Sequence, residues 1–466
     1  MKSYFKELGL ILLGAFILCI PVFFNGYPIL CYDSGTYIKS GFTGVVPIDR
    51  PLGYGLFIRH SSMSFSLWFT IYAQCIILAG VLHLLLKNSV INKEKFSFSY
   101  LVILIGLTFC SSIGWCAGQI MADIFAPILI ISFTCLLVIE KLNPVNLIFL
   151  ALVFILCCAT HFTHLLMALV ASFALLLLFL LTKKRIGGSI FSFKRVLLVL
   201  SLSVVSLFTC LTINYTHKDG GGFTTNRGGH VFLMAHFVQS GTLEEFLKEN
   251  CGKPEFKDCK TCLYKDSLEH SLGEYLWKDR GTLVKTGGWY GTEKEHNFII
   301  KSMFSDFKYI IKNIYESFRF GLTELFLTKV GDDIVSLDEN TPPGTQINKY
   351  FHDELNTFLQ SKQNTEPYLN KKLDTVNNYN TFLLIVSCCV ILYYFLYKKN
   401  KNKEYFSGIL IVFFVVLNAF ATAGLNAPCP RFQLRVAWLI LLFFAVIILN
   451  NKAYILKSYK NLISNI

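Results

Sequence analysis

About ten long apolar runs divide this chain, and they constrain its fold more than any other feature. A helix needs roughly 18 or more apolar residues to cross about 30 Å of hydrocarbon, and most of the runs approach that length. With 53% hydrophobic and only 16% charged residues, the composition is typical of a polytopic membrane protein. The sequence therefore predicts an all-α fold with about ten transmembrane helices, near 8–28, 65–86, 98–116, 119–140, 145–160, 163–182, 196–214, 380–397, 405–425 and 434–450.

The apolar runs predict three parts along the chain. Residues 1–216 form an N-terminal transmembrane module that includes the first outer loop, and residues 380–466 form a C-terminal transmembrane module. Between them, 217–379 is a polar segment that we expect outside the membrane, with mainly helical structure. Apolar residues at helical spacing over 298–330 predict one or two amphipathic helices that lie on the membrane surface or against the bundle.

The net charge of +13 is explained by membrane orientation. With the N-terminus inside, each basic cluster falls in a loop on the cytoplasmic side, where short loops of membrane proteins carry excess Lys and Arg. This distribution argues against a nucleic-acid partner. The clusters are Lys87/Lys93/Lys95, Lys183–Arg185 with Lys194 and Arg195, Lys398/Lys399/Lys401/Lys403, and Lys452/Lys457/Lys460.

Most of the 15 cysteines lie in apolar runs and indicate packing. Cys259 and Cys262 have the spacing of a zinc or redox pair, but no second pair accompanies them. With Cys251 nearby in an outer segment, the better interpretation is a disulfide among these three residues. The cysteines give no metal signature.

The first outer loop carries more chemistry than a connection requires. Asp33 and Tyr37 follow the first apolar run, and Asp49, Arg50 and Tyr54 lie in a Pro/Gly-rich stretch before the second. A carboxylate at this depth can take a proton, hold a hydroxyl or bind a metal, but Asp33 can also be a helix-capping residue. Asp49 and Arg50 can simply pair with each other.

Further ionisable residues fall at the same membrane face. Asp123 lies near the start of the fourth apolar run. Because an acid at this depth is energetically costly, its presence indicates a function. His161 and His164 share a helix face, where they bind metal or phosphate or satisfy backbone carbonyls. Arg431 and Arg435, about one turn apart, suit a phosphate or pyrophosphate, with snorkelling to lipid headgroups as the alternative. The topology thus predicts one site assembled from several outer loops.

At these residues the chain resembles the GT-C superfamily of membrane glycosyltransferases, which includes protein O-mannosyltransferases and aminoarabinose transferases. The resemblance rests on Asp33 with Tyr37, the 47–54 motif, Asp123, the long outer segment and the Pro428–Phe432 stretch. It covers the layout of most of the chain, but the motifs are short. The segment from Arg227 to Trp289 looks unlike the best-known members.

The resemblance implies a polyprenyl-phosphate sugar donor, an acceptor hydroxyl on a glycan, lipid or protein, and inverting transfer at the outer face. Asp33 would be the general base, and Arg431 or Arg435 would stabilise the lipid phosphate that leaves. Asp123 would orient Asp33, bind the sugar or help to hold a divalent cation (Mg²⁺ or Mn²⁺), which some members use and others do not. Tyr54 and Trp289 would be sugar-stacking candidates.

Two other functions fit the same sequence less well. A polysaccharide polymerase that acts on lipid-linked repeats would also use outer-face arginines, but it would depend less on the acids. A transporter or flippase would place charges near the bilayer midplane, often in paired repeats. Here the charges gather at one face and no repeat is visible. The expected location is the cytoplasmic membrane of a bacterium, among membrane lipids, with a role in the cell envelope.

Overall fold

A computed structural model describes residues 2–89, 94–182, 192–331, 334–366, 373–397 and 403–463, with side chains up to 451. Several of the basic cluster residues, among them Lys93, Lys183–Arg185 and Lys398–Lys401, lie outside this part. The described residues form helices and two isolated β-bridges, but no strands. The prediction of an all-α fold is confirmed.

The helices of the N-terminal module, in chain order, are α1 (Lys2–Leu18), α2 (Ile20–Asn25), α3 (Tyr32–Thr43), α4 (Gly53–Ser61), α5 (Leu67–Ser89), α6 (Phe96–Cys110), α7 (Ile113–Ala117), α8 (Phe125–Val138), α9 (Pro144–Thr160), α10 (Phe162–Thr182) and α11 (Phe193–Thr216). The polar segment follows with α12 (Gly229–Gln239), α13 (Thr242–Asn250), α14 (Leu272–Trp277), α15 (Thr282–Thr286), α16 (Gly288–Gly291), α17 (Glu293–Ser305), α18 (Phe307–Glu324), α19 (Pro342–Tyr350), α20 (Leu355–Leu359) and α21 (Lys362–Thr365). The chain ends with α22 (Asp374–Tyr397), α23 (Lys403–Thr422) and α24 (Pro430–Ile463).

Six of the described helices are long and apolar enough to cross a membrane, namely α5, α10, α11 and α22–α24. Three further apolar helices, α6, α8 with its preceding turn, and α9, are shorter. This set is compatible with an integral multi-pass membrane protein. Each of the ten predicted apolar runs contains helix, but six, not ten, meet the length and composition expected of a span.

The first run is broken where the site begins. α1 ends at Leu18, and α2 starts with Pro21 in its first turn, where the missing N–H costs no hydrogen bond. Gly26 then ends α2 in the left-handed conformation at φ 83°. The chain then enters α3, which packs against α4.

Two hydrophobic cores divide the polar segment. Residues 231–309 pack around their own cluster, which includes Phe237, Phe246 and Tyr275. Residues beyond Val330, such as Ile347 and Phe358, instead join the core of the helix bundle. The second half of the polar segment therefore belongs structurally to the transmembrane helices that surround the site.

α18 is the clearest of the amphipathic helices expected in 298–330. One face is buried and includes Tyr309, Phe320 and Glu324. The chain comes so close to α23 that a Cβ at Gly321 would lie 2.5 Å from the ring of Phe420. The other face carries exposed apolar side chains at helical spacing, namely Phe307, Ile311, Ile314, Tyr315, Phe318 and Leu322.

The disulfide of the polar segment joins Cys251 to Cys262 across 11 residues of sequence. Cys259 is buried, and its thiol lies 3.7 Å from a carboxylate oxygen of Glu295. The expected disulfide is therefore present, and its pairing excludes the Cys259–Cys262 alternative.

Candidate functional site

A short parallel pairing brings Asp33 and Asp123 to the same place. The Ile29 N–H donates to the Gly118 carbonyl, and the Ile120 N–H donates to the Ile29 carbonyl, both at 2.9 Å. Ile29 is paired in parallel with Gln119, so each aspartate lies four residues beyond a paired residue. The two acids, 90 residues apart in sequence, therefore enter the site side by side.

Asp33 lies in the first turn of α3 and bridges two arginines. Its Oδ1 accepts from Arg50 at 2.9 Å, and its Oδ2 accepts from Arg431 at 3.1 Å. Carboxylates are favoured in the first turn because the helix dipole is positive there. The Asp33 side chain keeps 27% of its surface exposed, more than that of Arg50, Arg431 or Asp123. It is thus the acid of this cluster that a ligand reaches most easily.

Asp123 lies in the 3-10 turn Ala122–Ile124, directly before α8, and also contacts two arginines. Its Oδ1 accepts from Arg435 at 2.6 Å, and its Oδ2 lies 3.6 Å from Nε of Arg431. Arg435 is completely buried, and its guanidinium also donates to Asn418 and Thr163. Sequence reasoning did not single out Asn418 and Thr163, although polar residues inside apolar helices are themselves a signal.

The remaining loop acid, Asp49, extends the chain of ion pairs among the described residues. Asp49 accepts from Arg50 at 2.6 Å, as one interpretation of the sequence proposed, and Arg50 extends that pair to Asp33. Three carboxylates and three guanidiniums therefore alternate along this chain of contacts. We call these six residues the ion-pair network: Asp33, Asp49, Arg50, Asp123, Arg431 and Arg435.

The network holds Asp33 in its charged form. Burial alone would raise the pKa of the Asp33 carboxyl, but Arg50 and Arg431 outweigh burial and hold this pKa well below its usual range. The carboxylate is ionised at neutral pH. In this arrangement it is also a weak base, because both of its oxygens already accept charge-assisted hydrogen bonds.

Tyr37 and Tyr54 pack together next to the ion-pair network. Their rings meet edge to face at 5.0 Å, and the Arg50 guanidinium lies 5.0 Å from the centre of the Tyr37 ring. Tyr54 is completely buried, and its hydroxyl donates to Gln74 at 3.2 Å. Its ring presents no face to a sugar in this conformation, so the structure places it as a support.

Trp289, the other stacking candidate, packs against the 231–309 core, with its ring beside Gly228. It is half-buried between Phe232 and Trp277. Arg227 and Gly228 connect this region to the first loop, because they donate to the carbonyls of Val46 and Ile48.

The two histidines flank Arg435 without binding it. His164 is fully buried, and its Nδ1 lies 3.0 Å from the Cys157 carbonyl and 3.2 Å from the Thr160 hydroxyl. His161 is partly exposed, and its Nδ1 lies 2.8 Å from Oγ1 of Thr163. His164 therefore has the carbonyl-satisfying arrangement that was one of the expected alternatives.

The acids do not fit a divalent cation in this arrangement. All four carboxylate oxygens of Asp33 and Asp123 are engaged by guanidinium groups, which would repel a cation at the same place. No group of three or more His, Cys, Asp or Glu side chains suited to a metal occurs among the described residues.

A small cavity opens beside the network, with a volume of about 10 Å³, roughly the space of one water molecule. Asp123, Gln119 and Arg431 face it from the bundle. Residues that follow α18, among them Lys329 and Val330, also line it. The sequence analysis did not single out Lys329, because the stretch between α18 and α19 contains no recognisable motif.

The fold and the site together define a multi-pass helical protein with a charged cluster at one set of helix ends. No family model, no curated protein and no solved structure matches the chain.

Proposed function

We propose that this protein is a membrane glycosyltransferase that moves a sugar from a polyprenyl-phosphate donor to an acceptor hydroxyl at the outer membrane face. The observation that carries the proposal is the position of Asp33. A partly exposed carboxylate follows the first apolar helix and contacts Arg431, which also lines the cavity. Base, phosphate ligand and ligand space thus lie within one contact of each other, as the resemblance to GT-C enzymes leads us to expect.

In the proposed reaction Asp33 takes the proton of the acceptor hydroxyl while the hydroxyl oxygen attacks the anomeric carbon. The bond between that carbon and the phosphate oxygen breaks, and the polyprenyl phosphate leaves as an anion. A single displacement of this kind inverts the anomeric centre, through a transition state with oxocarbenium character. A leaving phosphate is a stable anion, so the site needs a cation for it more than a general acid.

Arg431 is the better of the two arginines for that cation. Its side chain is 19% exposed and borders the cavity, whereas Arg435 is completely buried. Arg435 instead fixes Asp123, and Asp123 in turn holds Nε of Arg431. We therefore assign Arg435 as a positioning residue, whereas Asp123 both holds Arg431 and lines the cavity.

The weak basicity of Asp33 is compatible with this mechanism if the donor changes its surroundings. A phosphate that binds Arg431 competes with Asp33 for the same guanidinium. Loss of one of its two cationic partners raises the proton affinity of Asp33 when the donor is in place. Donor binding would then activate the base, and water would not be deprotonated in the absence of donor.

The finer parts of the proposal follow from the sequence. Positive-inside orientation places the network on the extracytoplasmic side. The three shorter apolar helices and the α1–α2 pair complete ten spans if they cross with the six long ones. A bacterial cytoplasmic membrane is the proposed location.

The test is transfer of radiolabelled sugar from polyprenyl-phosphate donors in membranes that contain the full chain. Asp33→Asn and Arg431→Gln should abolish transfer at matched expression. The control variants Asp258→Asn and Arg280→Gln, both at exposed positions outside the network, should retain it. No transfer by wild type with any donor would refute the proposal. Transfer that survives Asp33→Asn would favour the polymerase that acts on lipid-linked repeats.

A further inference from the structure

The exposed face of α18 carries a continuous row of large apolar side chains. Six of them recur at the spacing that places residues on one side of a helix, and the helix is about 27 Å long. Each of the six is between 41% and 74% exposed. An exposed apolar surface of this length is typical of a contact with a membrane or with another molecule. We call these residues the apolar stripe: Phe307, Ile311, Ile314, Tyr315, Phe318 and Leu322.

The opposite side of α18 is packed against the helix bundle. Its C-terminal half contacts the end of α23, which is long and apolar enough to cross a membrane, and the rings of Phe318 and Phe420 lie 5.6 Å apart. At the end of α18, Glu324 accepts from the Cys429 N–H at 2.7 Å, two residues before Arg431. α18 therefore lies at the end of the bundle that carries the ion-pair network.

The apolar stripe continues an exposed apolar surface of α23. Ile409, Phe413 and Val416 are 38–39% exposed, and their spacing places them on the side of α23 that leads to Phe420. On a helix of membrane-spanning length, exposed apolar side chains face lipid, because the hydrocarbon is as apolar as they are. Through the contact of Phe420 with Phe318, this surface runs without a break onto the apolar stripe. The continuity favours lipid as the partner that covers the stripe.

Three basic residues at helical spacing line one edge of the apolar stripe, and their side chains are 32–49% exposed. Long basic side chains at the edge of an apolar face can place their stems on lipid and their charges among the headgroups. Each already pairs with a glutamate: Lys308 with Glu249, Lys312 with Glu245, and Arg319 with Glu316. Because these charges are paired, we expect the contact to depend on apolar burial and not on anionic lipids.

We propose that α18 is a membrane-boundary helix, whose apolar stripe lies in lipid at the end of the bundle that carries the ion-pair network. The partner is the bilayer itself, without a preference for one headgroup. The ion pairs of Lys308 and Lys312 with α13 connect α18 to the 231–309 core, so the same helix anchors this core at the membrane surface. The inference rests on the packing and exposure of α18 and does not depend on the proposed function.

The test places a fluorescent amino acid at single positions of the full chain, purified in phosphatidylcholine nanodiscs. Ile314 and Leu322 belong to the apolar stripe, whereas Thr323 is an exposed position beyond its basic edge. A nitroxide on the lipid acyl chain should quench the first two at least about threefold more strongly than Thr323, because interfacial helices lie about 5–10 Å into the lipid boundary. Iodide in the water should quench in the opposite order. Adding phosphatidylglycerol should change neither result.

Several outcomes would overturn this inference, whether or not the protein transfers sugar. Equal nitroxide quenching at Leu322 and Thr323 would refute the membrane contact, as would iodide quenching at Ile314 as strong as at Thr323. Protection of both stripe positions from both quenchers would mean that a second copy or another part of the chain covers the stripe. Nitroxide quenching that requires phosphatidylglycerol would refute the apolar basis of the contact. Two stripe positions are tested so that a folding defect at one leaves the other.

Discussion

The buried pair of Arg435 and Asp123 gives the sharpest test of the division between positioning and binding residues. Arg435 is 0% and Asp123 only 6% exposed, and their closest atoms are 2.6 Å apart. Removing one partner of a buried pair leaves an uncompensated charge and typically costs about 3–5 kcal/mol. Arg431 still lies 3.6 Å from Asp123, so we expect Arg435→Met to fall at the lower end, about 3 kcal/mol.

The assay is equilibrium unfolding of the purified protein in mixed micelles with a denaturing detergent, followed by tryptophan fluorescence. Arg431→Met is the matched comparison, because its pairs are partly exposed and such pairs contribute about 1 kcal/mol or less. The double variant Asp123→Asn/Arg435→Met should be at least 1 kcal/mol more stable than the sum of the single effects predicts, roughly the coupling expected of contacting residues. Additive single effects, or a loss below about 1 kcal/mol for Arg435→Met, would refute the structural role assigned to this pair.

Three further predictions concern elements that hold the site. Burial raises the pKa of Glu324 from 4.5 to about 7, although the hydrogen bond that its carboxylate accepts from the Cys429 N–H lowers this pKa. The protonated carboxyl therefore contributes its full stabilisation below pH 4.5, and this contribution is lost as the pH rises through 7. Between pH 4 and 8 the free energy of unfolding of wild type should fall by about 3 kcal/mol relative to that of Glu324→Gln, measured by unfolding at each pH. Reduction of the Cys251–Cys262 disulfide with dithiothreitol should destabilise the 231–309 core by about 2–3 kcal/mol in thermal unfolding. Cys259→Ser, which leaves this disulfide intact, should not cause the same loss. Gly41→Ala should lower the free energy of unfolding by about 1–3 kcal/mol, because the added Cβ would lie 2.1 Å from the Gly55 carbonyl oxygen between α3 and α4. Gly106→Ala, whose Cβ would have nothing within 4 Å, should be neutral or slightly stabilising in the same thermal unfolding assay.

The sequence predicted the helical membrane character of the fold because apolar runs carry that information locally. It did not predict where the runs break. Pro21 and Gly26 interrupt the first apolar run, and extended residues before Asp123 shorten the helix of the fourth run. These breaks free Ile29 and Gln119 to pair with each other. Pairing of distant segments leaves little periodic signal in either one.

The residues of the site were easier to predict than the ion pairs that they form. Acids and arginines at one predicted membrane face are few, so listing them was straightforward. Their partners depend on contacts between residues far apart, such as Asp33 with Arg431 and Asp123 with Arg435, 398 and 312 residues apart in sequence. The exposure that separates Arg431 from Arg435 follows from packing that no local pattern records.

The ion-pair network explains how so many charges persist beside an apolar bundle. Each carboxylate contacts a guanidinium, so no charge is left alone in a poorly solvated place, where it would be costly. Arg431 pairs with the most exposed carboxylate of the network, Asp33, and also lines the cavity, so an anion that reaches the cavity meets a guanidinium. Under the proposed function that anion is the phosphate of the donor. Because that anion would compete with Asp33 for Arg431, binding and activation of the base would be one event.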